Sequence, residues 1–355
     1  MSVAATVHRE TGHRAVEVWL WIIAALVFAM VIVGGATRLT DSGLSITEWQ
    51  PLLGAIPPLG DADWQAAFEK YKQIPQYALV NKGMALADFK FIYWWEWSHR
   101  FLGRLIGVVF AVPFLIFWAA GRLNRSLVSK LAGVLALGAV QAAIGWYMVK
   151  SGLADRTSVS QYRLALHLAT AFAILGLVVW LAREAASGRA AITGDAATPA
   201  VKKRAAWLLA LIGLQVVLGA FVAGLRAGLV YNTWPTMNGA WVPDGMWKIQ
   251  PLIFNLFETI ETVQFNHRLV AYIVGLAALY HVYRTASLSV DKRITRSGQV
   301  LLAAIFAQMM LGIATLLAHV PLALGLMHQA GAAIILIIAV WHLHATRRAG
   351  LSAYR

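Results

Sequence analysis

Long apolar stretches separated by short polar segments dominate this chain from residue 17 to residue 345. Eight of them reach the length of roughly 20 residues that a helix needs to cross the hydrocarbon core of a bilayer. Because no water satisfies backbone groups there, each stretch is predicted to be an α-helix. The predicted spans are 17 to 37, 101 to 120, 127 to 149, 163 to 183, 205 to 225, 268 to 285, 298 to 318 and 322 to 345.

Composition agrees with a membrane protein and predicts its orientation. The chain is 59% hydrophobic and 13% charged. With a cytoplasmic N-terminus, the inner segments hold 17 of the 30 Lys and Arg and 5 of the 16 acids. Cytoplasmic loops are enriched in Lys and Arg, so both termini are predicted to be cytoplasmic. The net charge of +14 is spread over short loops, which argues against nucleic-acid binding, and the absence of cysteine excludes disulfides and thiolate metal sites.

Three sequence markers recur in the same order in the two halves of the chain. They are "HRFLGRLIG" from His99 and "HRLVAYIVG" from His267, "QAAIG" from Gln141 and "QMMLG" from Gln308, and the histidines His167 and His328. This recurrence predicts an all-α integral membrane protein whose eight transmembrane helices form two parallel-repeat four-helix bundles. The predicted units are an N-terminal half, 1–185, a cytoplasmic linker, 186–204, and a C-terminal half, 205–355.

The four marker histidines all fall at or near the outer ends of spans that run from outside to inside. Two neutral imidazoles on facing helices can hold a haem iron axially, and a helix bundle supplies an apolar slot for the ring. The pattern therefore predicts one haem site in each half. A lone histidine at a membrane interface is more often only hydrogen-bonded, but four at related positions favour metal ligation.

Arginines accompany both predicted sites. Arg100 and Arg268 each follow the first histidine of a pair and can meet haem propionates near the outer interface. Arg38 and Arg226 end the first and fifth spans, where they either meet propionates or extend to the membrane surface.

One acid distinguishes the two halves. Glu96 precedes His99 by three residues, and Gln264 occupies the corresponding place before His267. The difference suggests chemistry in the first half and a redox or structural haem in the second. The alternative is a helix-terminal acid that pairs with Arg100.

At these residues the chain resembles the heme A synthase family, the membrane enzymes that oxidise haem O to haem A for cytochrome oxidase assembly. The resemblance rests on "GGATRLTDSGLSITEWQPLLGAIPP", "FKFIYWWEWSHRFLGR", the "NHR" at Asn266 and the "MHQ" at Met327, and it extends from the first span to the eighth. It implies oxidation of a ring methyl to a formyl group through a hydroxymethyl intermediate. It further implies a resident haem b held by His267 and His328, a substrate haem flanked by His99 and His167, and a catalytic Glu96.

The resemblance also implies surroundings for the protein. The expected location is a bacterial cytoplasmic (inner) membrane, and the expected substrate is haem O. Haem O synthase and cytochrome oxidase assembly factors are candidate partners, and a homo-oligomer is left open. Many relatives carry a cysteine pair in the first outer loop, which this chain lacks. The source of the inserted oxygen is open, since either a displaced histidine frees the iron for dioxygen or water adds to an oxidised carbon.

Another class of function also fits the pattern. His281 and His342 each lie 14 residues after a predicted ligand, a rise of about 21 Å along a helix. A second haem between them would make the chain a transmembrane b-type cytochrome that acts only in electron transfer. The first half has Pro113 and Leu181 at the equivalent places. A transporter built from parallel repeats fits the architecture but explains the four outer histidines poorly.

Overall fold

The computed structural model describes residues 3–50, 53–186, 197–288 and 291–348, and over these residues the protein is all-α. Eight of its helices are long and apolar enough to cross a membrane, which confirms the predicted class. The helices are α1 (Val3–Leu39), α2 (Asp61–Tyr71), α3 (Pro75–Leu79), α4 (Leu86–Ala119), α5 (Arg125–Asp155), α6 (Gln161–Ala186), α7 (Pro199–Gly224), α8 (Asn255–Glu258), α9 (Ile260–Ala286), α10 (Lys292–Leu317) and α11 (Leu322–Arg348).

Helix α4 begins at Leu86, well before the predicted start at residue 101. Its first turns pack on α2 of the first long loop, where Phe89 stacks on Phe68 at 5.0 Å and Tyr93 meets Trp64 edge-on at 5.0 Å. This aromatic core gives the helix a protein surface to bury beyond the predicted span. The hydropathy pattern alone could not show that, because it reports only the apolar run.

Helix α7 also begins earlier than predicted. The Thr198 side chain accepts a hydrogen bond from the backbone N–H of Val201, and Pro199 occupies the first turn. Both features favour a helix start at this place. Residues 199–204 of the predicted linker therefore belong to α7, and residues 187–196 of that linker lie outside the described residues.

The two sets of long helices pack in the same cyclic order. Helices α1, α4, α5 and α6 each contact the next, and α6 closes on α1; helices α7, α9, α10 and α11 do the same. Between the sets, α1 contacts α11, α6 contacts α7, and α6 contacts α11. Exchanging the halves maps these contacts onto one another, which agrees with two parallel repeats; the repeat itself stays a prediction.

The bundle has two ends with different contents. We call the end that carries α2, α3 and the four marker histidines the histidine end, and the opposite end, where α1 begins and α11 ends, the terminal end. Each marker histidine lies on a helix that starts at the histidine end, namely α4, α6, α9 or α11. The fold therefore collects the predicted ligands of both halves at one end.

Candidate functional site

The histidines of the first half face each other. His99 on α4 and His167 on α6 have ring centroids 6.3 Å apart, with their planes inclined by 60°. Two imidazoles that share one metal ion at about 2 Å from each nitrogen have centroids on the order of 6 Å apart. Glycines lie behind both rings, since a Cβ added at Gly34 or Gly145 would come within 3.1 or 3.0 Å of His99 or His167.

The histidines of the second half line a cavity of about 580 Å³. Glycines again lie behind them, because a Cβ added at Gly219 would be 3.2 Å from His267 and one at Gly312 would be 2.8 Å from His328. Apolar side chains form most of the remaining wall. They include Leu168, Phe172, Val216, Ile305, Met309 and Ala332. Helices α1 and α6 of the first half thus help to enclose the site, which extends beyond the predicted unit 205–355.

Three of the four histidines are held by a glutamine on a neighbouring helix. Each glutamine amide donates a hydrogen bond to the backbone carbonyl of the histidine. The pairs are Gln141 with His167 at 3.0 Å, Gln215 with His267 at 3.0 Å, and Gln308 with His328 at 2.6 Å. This bond fixes the helical turn that carries the ligand.

Sequence reasoning used Gln141 and Gln308 only as repeat markers and missed Gln215. The signal was present as a Gln-x-x-x-Gly spacing in α5, α7 and α10. Residues four apart lie on one helical face, so the glutamine holds the histidine backbone while the glycine makes room for its ring. Helix α1 keeps the glycine as Gly34 but has Met30 in place of the glutamine.

Glu96 is buried and its carboxylate is fully engaged. One oxygen accepts hydrogen bonds from the Ser45 hydroxyl at 2.8 Å and the Ile46 backbone N–H at 2.7 Å. The other accepts from Arg100 Nε at 3.1 Å and Nη2 at 2.6 Å. The acid therefore ties the first outer loop to the turn of α4 that precedes His99.

Gln264 makes the equivalent contacts in the second half, except that it donates a hydrogen bond to its loop where Glu96 accepts hydrogen bonds from its own. Its amide nitrogen donates to the carbonyl oxygen of Ala227 at 2.6 Å, and its amide oxygen accepts from Arg268 at 2.7 Å. The loop of the second half presents a carbonyl where the loop of the first half presents an N–H and a hydroxyl. An amide suits the carbonyl of the second-half loop and a carboxylate suits the donors of the first-half loop, so these hydrogen bonds give a structural reason for Gln264 and Glu96. A catalytic role of Glu96 stays a prediction.

Arg100 and Arg268 each hold an outer loop by its backbone carbonyls. Arg100 donates to Ile46 at 2.8 Å and Glu48 at 2.9 Å, and Arg268 donates to Tyr231 at 2.8 Å and Thr233 at 2.9 Å. Arg268 also lines the 580 Å³ cavity. Arg100 lines a separate space of about 300 Å³ beside Trp49 and Trp146. Their contact with propionates stays a prediction.

Arg38 and Arg226 meet at the rim of the cavity of the second half, although Arg38 belongs to α1. Arg38 donates to the carbonyl oxygens of Ala223 and Gly224 at 3.1 and 3.0 Å, at the end of α7. Both guanidinium groups contact the carboxylate of Asp41. Two cations share one acid here, which leaves the rim positive and suited to a carboxylate ligand.

The first outer loop reinforces this rim. Gln76 donates to the backbone carbonyl of Asp41 at 2.9 Å and accepts from the Tyr71 hydroxyl at 3.1 Å, and Asn81 donates to that hydroxyl at 2.7 Å. Burial raises the pKa of the Tyr71 phenol, so it remains a neutral donor at physiological pH. The loop thereby fixes the acid that the two arginines share.

His281 and His342 lie near the terminal end and are in direct contact. Their Nε2 atoms are 2.8 Å apart, within a hydrogen bond. Two imidazoles on one iron need their nitrogens about 4 Å apart, twice a metal–nitrogen distance of about 2 Å. The two rings are therefore bonded to each other here and are not spaced as ligands of one iron; a second haem between them stays a prediction.

Comparison with known proteins identifies relatives of the chain. The profile of a family described as "Cytochrome oxidase assembly protein" matches residues 17–340. A heme A synthase of Parvibaculum lavamentivorans is 52% identical, covering 94% of this chain and 95% of the relative. A heme A synthase of Chelativorans sp. is 51% identical over 94% and 91% of the two chains, and one of Brucella ovis is 48% identical over 97% and 95%.

Proposed function

Because the chain belongs to the cytochrome oxidase assembly protein family, and curated relatives of about 50% identity are heme A synthases, we propose that it converts haem O to haem A. The protein is a multi-pass membrane oxidoreductase. The reaction oxidises one ring methyl of haem O to a formyl group. The observation that carries the proposal is the pairing of His99 with His167 and of His267 with His328 at one end of the bundle.

The second half fits a resident haem b. A haem supplies a redox-active iron when bound, and His267 and His328 would hold it through their imidazoles. The apolar cavity suits the ring, and the glycines behind both histidines leave their rings room. Arg268 Nε is buried and lacks a hydrogen-bond partner among the described residues. An unpaired cationic donor beside an apolar slot favours a ligand that carries both an apolar ring and carboxylates.

The first half fits an exchangeable haem. The membrane-spanning segments of α4 and α5 are each only 11% buried within the protein. The segments of the corresponding helices of the second half, α9 and α10, are 28% and 17% buried. His99 lies on α4 and Gly145, behind His167, on α5, so the first site sits beside the loosely packed pair. A substrate must enter and leave, whereas a resident cofactor must not, and the packing therefore supports haem O as the ligand of His99 and His167.

Protein groups around the first site position the substrate. Glu96 and Arg100 fix the outer loop over the start of the α4 turn that carries His99, and Gln141 fixes the backbone of His167. We propose that Glu96 acts mainly by this positioning; its action as a base on the methyl proton or on water stays a prediction. The source of oxygen stays open between the two routes given above.

A haem extract tests the function directly. Cells that make haem O but not haem A are expected to accumulate haem A when they express this chain, as resolved by chromatography. The purified protein is expected to contain haem b together with haem O or haem A. Haem b alone, with no haem A in the cells, would favour the electron-transfer cytochrome.

A glycine pair on α5 provides a matched control for the same assay. Gly145→Ala is expected to lower haem A output severalfold, because the added Cβ would lie 3.0 Å from the His167 ring and displace it. Gly138→Ala, two turns away with no atom within 4 Å, is expected to leave output unchanged. Equal outputs from the two variants would contradict the placement of substrate beside His167.

We further propose that the histidine end faces away from the cytoplasm in a bacterial inner membrane. The charge distribution supports this orientation. A reporter that works only outside the cytoplasm is expected to be active when inserted near Asp61 and silent near Gly194, which lies outside the described residues. The opposite pattern would reverse the topology.

A further inference from the structure

A buried polar cluster lies near the terminal end of the second half, remote from the histidine end. His281 on α9 is 2% exposed, His342 on α11 is 1% exposed, and their rings are bonded through Nε2. Ser297 on α10 bonds to His342 Nδ1 at 2.8 Å. The first half has Pro113 and Leu181 at the positions of the two histidines, so the cluster belongs to the second half alone.

Four polar atoms of this cluster are buried without a hydrogen-bond partner among the described residues. They are His281 Nδ1, Thr285 Oγ1, Arg204 Nε and Arg204 Nη2. Thr285 follows His281 by one helical turn and shares its face. Arg204 lies on the adjacent helix α7, and its charge acts on His281. Buried polar groups are normally paired, so this concentration indicates a missing partner.

The bonding pattern indicates the charge of that partner. Ser297 Oγ lies 2.8 Å from His342 Nδ1 and 3.0 Å from the Ile294 carbonyl oxygen, so its single proton goes to one of these two acceptors. If it goes to His342, His342 donates through Nε2 to His281, and His281 Nδ1 carries a proton; if it goes to Ile294, His281 Nδ1 is an acceptor. In both arrangements the Arg204 guanidinium and the Thr285 hydroxyl are free to donate. A metal ion cannot be ligated by the guanidinium and is repelled by its charge, so the cluster suits an anion.

The surroundings of the cluster agree with this sign. Lys202, Lys203, Arg284 and Lys292 lie at the neighbouring helix ends. Asp291 is the one acid among the described residues 197–207, 280–288, 291–298 and 340–347. Basic pockets between transmembrane helices near the cytoplasmic surface are a recognised setting for phosphate-bearing headgroups.

We propose that Arg204, Thr285 and His281 form a binding site for a phosphate-class oxyanion. The Nε and Nη2 atoms of Arg204 lie on one edge of the guanidinium plane and match two oxygens of a phosphate. Thr285 supplies a third donor, and His281 Nδ1 supplies a fourth in the tautomer in which Ser297 donates to His342. The source is the phosphate of an anionic lipid or free phosphate, and both present the same oxygens to this site.

The test uses the purified holoprotein with its resident haem. Thermal unfolding is followed in detergent with inorganic phosphate, against chloride at equal ionic strength, and in nanodiscs of phosphatidylglycerol or phosphatidylcholine. A Tm increase with phosphate identifies free phosphate as a sufficient ligand, and an increase with phosphatidylglycerol alone identifies the lipid. No increase with either probe would overturn the site and assign the unpaired atoms to water.

Variants localise the effect. Arg204→Gln removes the two-donor edge and is expected to abolish the ligand-dependent Tm increase, whereas Arg293→Gln, a nearby loss of one charge, is expected to keep it. Thr285→Val keeps the side-chain shape and the local charge, and it is expected to weaken the apparent affinity by about tenfold, the loss of one hydrogen bond to a charged group. A full Tm increase in both Arg204→Gln and Thr285→Val would overturn the proposal.

Discussion

His267→Ala and His328→Ala are each expected to abolish the low-spin b-type haem spectrum of the purified protein. Either change would remove one of the two imidazoles that would hold the haem iron, and the described residues that line the cavity include no other histidine. Haem content and the reduced-minus-oxidised absorbance spectrum, normalised to folded protein, measure the effect. The expected loss is nearly complete, because the six-coordinate low-spin state needs both ligands.

His319→Asn is the matched control for these two variants. His319 is an exposed histidine in the turn between α10 and α11, at the same end of the same half. Its backbone φ of 59° is a left-handed conformation that asparagine tolerates. The control is expected to retain the full spectrum. Survival of the spectrum in both His267→Ala and His328→Ala would show that the resident haem has other ligands.

Glu96→Gln is expected to eliminate most haem A output while the resident haem is retained. The Glu96 carboxylate receives donors on both oxygens, so an amide nitrogen must face either the Ile46 N–H and the Ser45 hydroxyl or the Arg100 guanidinium. An unpaired buried donor costs about 1 to 3 kcal/mol. The outer loop then loses its anchor beside the substrate ligand His99.

Hydrogen exchange separates an anchoring role from a role as base. Anchoring predicts that the Ile46 amide exchanges roughly 5- to 150-fold faster in Glu96→Gln, the equivalent of about 1 to 3 kcal/mol. It also predicts reduced output from Ser45→Ala, which removes one donor and keeps the acid. Lost output with unchanged Ile46 exchange would make Glu96 a base. Normal output per folded molecule would leave it without a role in the reaction.

The sequence by itself determined the eight membrane spans and the four histidines that the spans carry to one end. Both conclusions depend on properties that are local along the chain. The length of an apolar run measures the distance a helix can cross, and the number of crossings fixes the end at which a residue such as His99 or His328 lies. Related spacing in the two halves added the prediction of a repeat.

Tertiary structure alone decided which groups meet across helices. In sequence Glu96 and Gln264 differ only as acid and amide, and the structure adds that their loop partners are an N–H in one half and a carbonyl in the other. Arg38 belongs to the first half in sequence but lines the cavity of the second. His281 and His342 have a spacing that suits a haem, yet their rings touch. Spacing along a helix determines how far along the axis a side chain lies and on which face of the helix. The distance between side chains on two helices depends also on how the helices are rotated and how far apart they are. Packing over the whole length of the helices sets both quantities.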